Sequence, residues 1–301
     1  MSQTESTAPA ARPRIKVGLI GAEIQASKSP ALHEREAAFH GFDYSYELID
    51  MAERNCGAEA LPGLLKEVED RGFAGVNVTF PVKQAIIEHL TDLSDEARAL
   101  GAVNTVVLKD GKRTGYNTDW YGFHESFRRN FADVPRGCAL LLGAGGAGSA
   151  VAHAALTLGV EQLLVHDVEE RRARDLVERL NGQFEGERAA VTSDIAAAMA
   201  KADGLIHATP TGMAKHPGLP LDGNLLRPLH WVADIVYMPL VTPLLAHAKA
   251  TGCRVLDGGG MVVYQAAGAM KLFAGIEADA TRMRAHFATL VGEGHGAGPT
   301  A

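Results

Sequence analysis

A glycine-rich segment, Gly-Ala-Gly-Gly-Ala-Gly at residues 143–148, has a spacing that is typical of dinucleotide-binding loops. It directly follows the apolar run 138–142 and precedes an alanine-rich run with the pattern of a helix. Glycines at this point permit a tight turn and let backbone N–H groups approach a pyrophosphate at the positive end of the helix. A second apolar run, 162–166, ends at Asp167, whose carboxylate can bond both hydroxyls of a ribose. The order predicts a dinucleotide site; the alternative is a packing turn with Asp167 as a helix cap.

Asp167 also bears on which nicotinamide cofactor is used. Its negative charge would repel the extra 2′-phosphate of NADP, which favours NAD. The opposing signal is the set Arg171, Arg172 and Arg174, since a guanidinium could neutralise that phosphate. At helical spacing, however, these arginines are typical of a solvated helix face or of packing on adenine. Because Val168 and not an arginine follows Asp167, we predict NAD, with NADP as the alternative.

Three further segments place polar side chains at the ends of predicted strands, where a parallel sheet gathers its ligand-binding groups. They are 27–29 (Ser-Lys-Ser), 77–83 (Asn-Val-Thr-Phe-Pro-Val-Lys), and 104–105 together with 117–119 (Asn-Thr and Asn-Thr-Asp). Each segment also has a purely structural interpretation. Ser29 and Asp119 could cap helices, Thr79 could end a strand, and Lys83 could lie in the first turns of a helix.

The composition is that of a folded globular protein and restricts its partners. The 301 residues are enough for two domains, and 47% of them are hydrophobic. The net charge of −7 repels nucleic acid and anionic lipid, so neither is expected as a partner. Cys56, Cys138 and Cys253 form no Cys-x-x-Cys motif, and the histidines show no zinc-binding spacing. We therefore expect no metal, and a reducing, cytoplasmic location.

The chain shows two successive sets of alternating strand and helix patterns. In the first set, strands are predicted at 15–20, 44–48 and 74–80, and helices from Ser29 to about His40, over 57–71 and from Pro81. Ser29 supplies the N-cap and Pro30 the first residue of the first helix. This order predicts a mainly parallel sheet, which a hairpin around Asp110-Gly111 closes, between strands 103–108 and 113–116.

After a helix that ends at about Asn130, the second set begins beyond the variable residues 132–136. Its strands are predicted at 138–142, 162–166, 203–208, 231–236 and 253–256, as in a doubly wound sheet. Residues 137–160 lack charged side chains, but their glycines favour a buried strand, turn and helix over a membrane span. Residues 1–14 and 292–301 are predicted to be flexible tails.

Taken together, the polar segments resemble the shikimate dehydrogenase family. The resemblance extends from about residue 15 to 285, through 27–33 (Ser-Lys-Ser-Pro-Ala-Leu-His), 75–83, 101–106, 115–119, 122–123, 143–148, 208–213 and 257–267. Asp167 and the segment 234–239 (Asp-Ile-Val-Tyr-Met-Pro) are most similar to the branch that uses NAD on quinate or shikimate. The resemblance implies reversible oxidation of a ring hydroxyl to 3-dehydroshikimate or 3-dehydroquinate.

The resemblance also implies a two-domain α/β architecture. Residues 15–130, completed by helices within 261–292, would be the substrate and catalytic domain. Residues 131–260 would be a Rossmann-type NAD-binding domain. The small-molecule partner would be a ring hydroxy acid, bound by a monomer or homodimer.

Each matching position carries an implied role. Lys83 and Asp119 would form the catalytic acid–base pair beside the hydroxyl, with Lys83 as the base and Asp119 orienting it. Ser27 and Ser29 would hold the substrate carboxylate. Carboxylate or ring hydroxyls would also be bound by Thr79, Asn104, Tyr237 and Gln265. The implied dinucleotide contacts are Gly143, Ala144, Gly145, Gly146, Ala147 and Gly148 at the pyrophosphate, Asp167 at the ribose, Arg172 at the adenosine, and Thr209, Pro210, Val236 and Gly260 along the adenosine and nicotinamide.

Three positions depart from common family patterns. His166-Asp167-Val168 stands where NADP-using members usually carry Asn-Arg-Thr, which supports NAD. His207 replaces a common Asn, and Ser29 stands where quinate-preferring relatives often carry Thr, so the choice between shikimate and quinate stays open. The alternatives are an NADP-dependent biosynthetic shikimate dehydrogenase and a non-catalytic nucleotide-binding regulator of the same fold.

Overall fold

A computed structural model of the chain describes residues 14–292, which form two six-stranded sheets covered by helices. The first half contains β1 (Arg14–Gly21), α1 (Ser29–Phe39), β2 (Asp43–Asp50), α2 (Leu61–Asp70), β3 (Gly75–Val78), β4 (Asp92–Leu93), α3 (Asp95–Leu100), β5 (Thr105–Lys109), β6 (Lys112–Tyr116) and α4 (Thr118–Asn130). The second half contains β7 (Cys138–Leu142), α5 (Gly146–Thr157), β8 (Gln162–His166), α6 (Glu170–Gln183), β9 (Ala189–Val191), α7 (Ile195–Lys201), β10 (Gly204–His207), β11 (Trp231–Asp234), α8 (Pro243–Thr251), β12 (Arg254–Leu256), α9 (Gly259–Ala274) and α10 (Ala280–Gly292). Short 3-10 helices occupy Ala58–Ala60, Ala85–His89 and Gly223–Leu225. The predicted α/β class is confirmed. The tails predicted at 1–14 and 292–301 lie outside the described residues, except that Arg14 begins β1 and Gly292 ends α10.

The first sheet has the order β2-β1-β3-β5-β6-β4 and is mainly parallel. The predicted hairpin joins β5 and β6, and its turn residues Asp110 and Gly111 have φ values of 53° and 70°. Positive φ at both turn positions suits the right-handed twist of the flanking strands. The hairpin does not close the sheet, because β4 pairs in parallel with the outer side of β6. A strand of two residues gives no alternating pattern that a sequence could reveal.

The second sheet is parallel throughout, in the order β12-β11-β10-β7-β8-β9. This is the doubly wound order: β7 lies centrally, β8 and β9 are added on one side of it, and β10, β11 and β12 are added on the other. Edge strand β9 escaped prediction because it consists of only Ala-Ala-Val. Residues 137–160 form β7, a turn and α5, and within 14–292 no helix is both long and apolar enough to cross a membrane. The same residues contain no group of three or more His, Cys, Asp or Glu side chains that could hold a metal ion.

The predicted N-cap of α1 is wrong. Ser29 is the first residue of the helix and Lys28 occupies the cap position. The Ser29 side chain bonds instead to the phenol of Tyr46. The side chain therefore points towards the sheet rather than towards its own helix.

The predicted helix from Pro81 is also wrong. Residues 81–84 form a turn, and only a 3-10 helix follows at Ala85–His89. The carbonyl oxygen of Lys83 accepts the N–H of Val103 at 2.8 Å, so this backbone is bonded to the loop before β5. Lys83 therefore lies in a turn that is fixed to the sheet.

The alternative interpretation of Asp119 as the N-cap of α4 is wrong. Asn117 is the N-cap, and its side-chain oxygen accepts the N–H groups of Asp119 at 3.1 Å and Trp120 at 3.4 Å. Asn117 also donates its amide to the carbonyl oxygen of Ala102 at 3.0 Å. These bonds leave the Asp119 carboxylate available for other partners.

Helices α4 and α9 each contact both halves of the molecule. Phe127 of α4 packs edge-on against Trp231 of the second sheet, with ring centroids 5.1 Å apart. On α9, Phe273 belongs to the core formed with Val17 of the first sheet. The two helices cross where Gly122 of α4 lies against the backbone of α9. The pair therefore connects the packing of one sheet to that of the other.

His33 of α1 is fully buried between the rings of Tyr44 and Tyr46. Burial lowers the pKa of its imidazole to about 3. Its Nδ1 lies 3.3 Å from the Tyr44 hydroxyl, whereas Nε2 has no hydrogen-bond partner among residues 14–292. The imidazole is therefore neutral in the folded protein, although an unfolded chain would protonate it below a pH of about 6.5.

Because only the unfolded state takes up this proton, the free energy of unfolding should fall as the pH drops below about 6.5. The loss per group is about 1.4 kcal/mol per pH unit, or about 2 kcal/mol between pH 6.5 and pH 5. Urea unfolding of the wild type and of His33→Gln across this range measures the effect, and the Gln variant should show the flatter dependence. His216→Gln, at an exposed histidine, is the control and should follow the wild type. Equal slopes for the wild type and His33→Gln would contradict the assignment.

Candidate active site

Lys83 and Asp119 form an ion pair at the first sheet. The Lys83 Nζ atom lies 2.6 Å from Asp119 Oδ2, and the two side chains are 23% and 14% exposed. The other carboxylate oxygen, Oδ1, accepts the side-chain amide of Asn104 at 2.9 Å. The turn after β3, the loop before β5 and the first turn of α4 therefore bring these three side chains together across 36 residues of sequence. An ammonium and a carboxylate held in a partly open position can exchange a proton with a bound ligand.

A buried hydrogen-bond network orients the carboxylate of this pair. We call it the Asn104 network, and it consists of Tyr46, Asn77, Asn104, Thr105 and Thr118. Asn104 Oδ1 accepts the backbone N–H of Thr118 at 2.6 Å and the Thr105 hydroxyl at 3.1 Å. Asn77 donates its amide to Thr105 Oγ1 at 2.9 Å, and Tyr46 donates its hydroxyl to Asn77 Oδ1 at 2.9 Å. Since two donors face Oδ1 of Asn104, its amide group must point to Asp119. The orientation of the carboxylate is thus fixed by residues that do not touch Lys83.

The glycine-rich loop connects β7 to α5 as predicted. Gly143 has a φ of 100°, and a Cβ there would lie 2.6 Å from the carbonyl oxygen of Ala208. A Cβ on Gly148 would collide with the carbonyl of Gly143, so this glycine permits the helix to start close to the loop. In contrast, a Cβ built on Gly145 or Gly146 would meet no atom within 4 Å among the described residues, apart from the neighbouring residues and the backbone of its own helix. This open backbone at the N-terminus of a twelve-residue helix fits a pyrophosphate.

Asp167 follows β8 and contacts the loop directly. Its Oδ2 accepts the N–H of Ala144 at 2.7 Å, and its Oδ1 accepts that of Glu169 at 2.8 Å. Arg172 lies 2.9 Å from the Glu169 carboxylate, and Arg174 forms a second ion pair within α6. Of the three arginines considered for a phosphate site, Arg172 and Arg174 therefore already have acidic partners, whereas Arg171 has none among residues 14–292.

Comparisons with known proteins assign the chain to a family. Residues 19–106 match the family model described as the shikimate dehydrogenase substrate binding domain. The chain is 52% identical over 278 residues to a shikimate dehydrogenase (NADP(+)) of Streptomyces avermitilis, which covers 92% of this chain and 96% of that protein. The chain belongs to the shikimate dehydrogenase family. The family predicted from the sequence motifs is thereby confirmed.

Two further relatives within the shikimate dehydrogenase family carry different names. A quinate/shikimate dehydrogenase (NAD(+)) of Corynebacterium efficiens is 43% identical over 280 residues, which are 92% of this chain and 98% of that protein. The solved structure of quinate dehydrogenase from Corynebacterium glutamicum in complex with NAD matches with a TM-score of 0.88 at 40% identity. That match covers 92% of this chain and 100% of the other. The predicted two-domain, Rossmann-type fold of the shikimate dehydrogenases is confirmed.

The serines and threonine of the family motifs lie at the carboxyl ends of β1 and β3. Ser29 donates its N–H to Ser27 Oγ at 3.3 Å, and its side chain bonds the Tyr46 phenol. Burial raises the pKa of that phenol. Thr79 donates its N–H to the carbonyl oxygen of Ile20 at 2.9 Å. Through Tyr46, residues 27–29, which we call the serine segment, therefore connect to the Asn104 network.

The remaining site residues come from the second sheet and from α9. Partial burial raises the pKa of the Tyr237 phenol, while the charge of Lys83 opposes this shift and that of Asp119 adds to it. Tyr237, which follows β11, is therefore within electrostatic reach of the ion pair. Gln265 of α9 lies 3.5 Å from the Thr118 hydroxyl, one residue from Asp119.

Not all predicted cofactor positions are open. Thr209 and Pro210 follow β10, and the Thr209 methyl would lie 3.0 Å from a Cβ on Gly143. Val236 is buried beyond the end of β11. Gly260 lies where α9 touches Ser126 of α4, so its small size is already required by packing.

Sequence reasoning missed the residues that orient the site. Asn77, Thr105 and Thr118 lay inside or beside the motifs but received no role. Asn77 and Thr105 are polar residues that are at least nine-tenths buried in otherwise apolar strands. A buried polar side chain needs a partner, so this pattern could have indicated a network.

Removing the Thr105 hydroxyl should destabilise the protein. Thr105→Val leaves the amide of Asn77 without its side-chain acceptor, and the expected loss is about 1–3 kcal/mol in the free energy of unfolding. Thr157→Val is the matched control, because that hydroxyl is exposed and bonds only to its own helix. Urea unfolding compares the two variants. Equal stability of Thr105→Val and Thr157→Val would contradict a tightly bonded network.

Proposed function

We propose that this protein is an NAD-linked dehydrogenase that reversibly oxidises a ring hydroxyl of shikimate, quinate or both, giving 3-dehydroshikimate or 3-dehydroquinate. The observation that carries the proposal is the Lys83–Asp119 ion pair, which a buried hydrogen-bond network orients. In this proposal residues 15–130, with α9 and α10, bind the ring acid. Residues 131–260 bind the dinucleotide. The three free cysteines suit a reducing compartment such as the cytoplasm.

The ring acid would lie with its carboxylate at the serine segment. Ser27 and Ser29 offer hydroxyl groups at the N-terminus of α1, where the helix dipole favours an anion. The ring hydroxyls would then extend towards Thr79, Asn104, Tyr237 and Gln265, of which Asn104 bonds Asp119 directly. This placement is supported by the bonds that join Ser29, Tyr46 and the Asn104 network.

Lys83 acts as the proton acceptor in this proposal. In the direction of oxidation, the Lys83 ammonium first releases a proton to solvent. The resulting amine takes the proton of the ring hydroxyl while the carbon that bears this hydroxyl loses a hydride. In the reverse direction, the ammonium returns the proton to the oxygen. Asp119 holds Nζ at 2.6 Å and, through Oδ1, remains aligned by Asn104, so the amine keeps one orientation towards the hydroxyl. A bound nicotinamide dinucleotide would supply the hydride acceptor.

The dinucleotide would lie along the carboxyl ends of the second sheet. Its pyrophosphate would occupy the open backbone of Gly145, Gly146 and Ala147. Thr209, Pro210, Val236 and Gly260 would lie along the adenosine and nicotinamide. Asp167 would bond the ribose hydroxyls, and Arg172 would pack on the adenosine.

The charges around Asp167 favour NAD over NADP. The Asp167 carboxylate is negative where a 2′-phosphate would lie. Arg172 and Arg174 are each paired with a glutamate, so that among the three nearby arginines only Arg171 has no acidic partner within residues 14–292. The alternative, NADP-dependent shikimate dehydrogenase, is favoured by the name of the Streptomyces avermitilis relative. The Corynebacterium efficiens relative is named for NAD(+). Initial rates on shikimate and quinate, each with NAD and NADP, distinguish the two, and no turnover on either acid would favour a non-catalytic regulator.

Lys83→Ala should lower kcat about 10²-fold, because it removes the proton acceptor. The KM of the ring acid should change much less, since the serines and ring-hydroxyl contacts remain. Initial rates of nicotinamide reduction measure both parameters. Lys66→Ala, at an exposed lysine paired with Asp70, is the control and should match the wild type. Near-normal kcat in Lys83→Ala would exclude Lys83 as the base.

Asp167→Asn should shift the cofactor preference towards NADP. The variant removes the negative charge but keeps a side-chain oxygen that can accept the N–H of Ala144. Two unit charges about 4 Å apart repel each other by about 1–4 kcal/mol at a protein surface, so the ratio of kcat/KM for NADP over NAD should rise about fivefold or more. Asp175→Asn removes an exposed charge of the same sign from α6 and should leave the ratio unchanged. A ratio that is insensitive to Asp167→Asn would exclude Asp167 as the selecting residue.

A further inference from the structure

His207 and Asp234 form a buried pair at the carboxyl ends of two neighbouring strands. They are the last residues of β10 and β11 and are register partners, and both side chains are 0% exposed. His207 Nδ1 lies 2.9 Å from Asp234 Oδ1, which also accepts the N–H of Val236 at 3.0 Å. Thr242, the N-cap of α8, donates its hydroxyl to Asp234 Oδ2 at 2.7 Å. The carboxylate therefore fastens both strand ends to the Val236 loop and to α8.

His207 also forms a second hydrogen bond, which positions the side chain of Thr209. An ionised carboxylate only accepts, so Nδ1 of His207 carries the proton that bonds Asp234. The other ring nitrogen, Nε2, lies 2.5 Å from the Thr209 hydroxyl oxygen and forms a hydrogen bond with it. Thr209 Oγ1 accepts the N–H of Thr211 at 3.3 Å in turn. His207 thus fixes the position of the Thr209 hydroxyl.

Thr209 lies directly against the glycine-rich loop. A Cβ on Gly143 would be 2.6 Å from the carbonyl oxygen of Ala208 and 3.0 Å from the methyl carbon of Thr209. The loop therefore rests on the backbone that follows His207. Because protein interiors are closely packed, a displacement of Thr209 would also displace Gly143.

We propose that His207 is a positioning residue for dinucleotide binding. Through Asp234 and Thr209 it holds the 208–211 loop, and through that loop the glycine-rich loop, in a binding shape before the dinucleotide arrives. Loops that are already ordered bind more tightly, because no ordering entropy opposes association. The inference rests on the proposed function, which assigns Thr209, Val236 and the glycine-rich loop to the dinucleotide. It identifies a role for the histidine that departs from the common asparagine.

Substitution by Asn and Gln separates the two bonds of the imidazole. The Asn amide reaches the position of Nδ1, so His207→Asn keeps the bond to Asp234 and loses the bond to Thr209. The Gln amide reaches the position of Nε2, so His207→Gln keeps the bond to Thr209. Calorimetric titration of the full chain should show the Kd of NAD raised about tenfold by His207→Asn, the value of one net hydrogen bond, and less than about threefold by His207→Gln. The KM of the ring acid should stay within about twofold in both variants.

His230→Asn is the matched control. His230 is also buried, but it precedes β11 and therefore lies at the amino ends of the strands, whereas His207 lies at their carboxyl ends. Its loss should lower the melting temperature without changing the Kd of NAD. An equal rise in Kd for His207→Asn and His207→Gln, or no rise for the Asn variant, would overturn the positioning role.

A second variant covers the case in which His207→Asn does not fold. Thr209→Val removes the same hydroxyl while leaving the His207–Asp234 bond intact, and it should raise the Kd of NAD by the same factor of about ten. An unchanged Kd in Thr209→Val would overturn the inference. Wild-type protein that binds neither NAD nor NADP would overturn the proposed function itself, and titration of the wild type before any variant distinguishes the two failures.

Discussion

The close contact between α4 and α9 determines how the two sheets are held relative to each other. A Cβ on Gly122 would collide with the backbone of α9, and a Cβ on Gly260 would collide with the Ser126 side chain. The first turn of α4 carries Asp119, whereas its aromatic residues pack on the second sheet. Since closely packed helices do not accommodate an added methyl group without moving, the relative position of the two sheets depends on these two glycines.

On this frame, two polar networks perform the same task, one at the first sheet and one at the second. The Asn104 network orients a carboxylate at the first sheet, and the His207–Asp234 pair orients a hydroxyl at the second. In each, an amide or an imidazole forms hydrogen bonds on both sides and so links a buried anchor to a more open group, whose position it fixes. Buried polar groups of this kind stabilise a unique arrangement only when every partner is present.

Local signals made much of the fold predictable from the sequence. The glycine-rich loop, the Asp110-Gly111 hairpin and the apolar strands each depend on neighbouring residues, and each was predicted within a few positions. The failures involve distant partners: the backbone at Lys83 bonds to Val103, and Ser29 turns to Tyr46 on β2. The Lys83–Asp119 pair spans 36 residues, and the family resemblance, not the spacing, suggested it. Asn77 and Thr105 lie within the motifs, but the family resemblance gave them no role, so their part in orienting the site was not predicted.

The bond between Asp167 and Ala144 has a consequence for how cofactor preference can change in evolution. The carboxylate that would select the ribose also holds the glycine-rich loop. A single exchange to a residue without a side-chain acceptor would therefore both relieve the charge and loosen the loop. A change of cofactor preference at this position therefore requires either a side chain that still accepts the N–H of Ala144 or a new contact that holds the loop in its place.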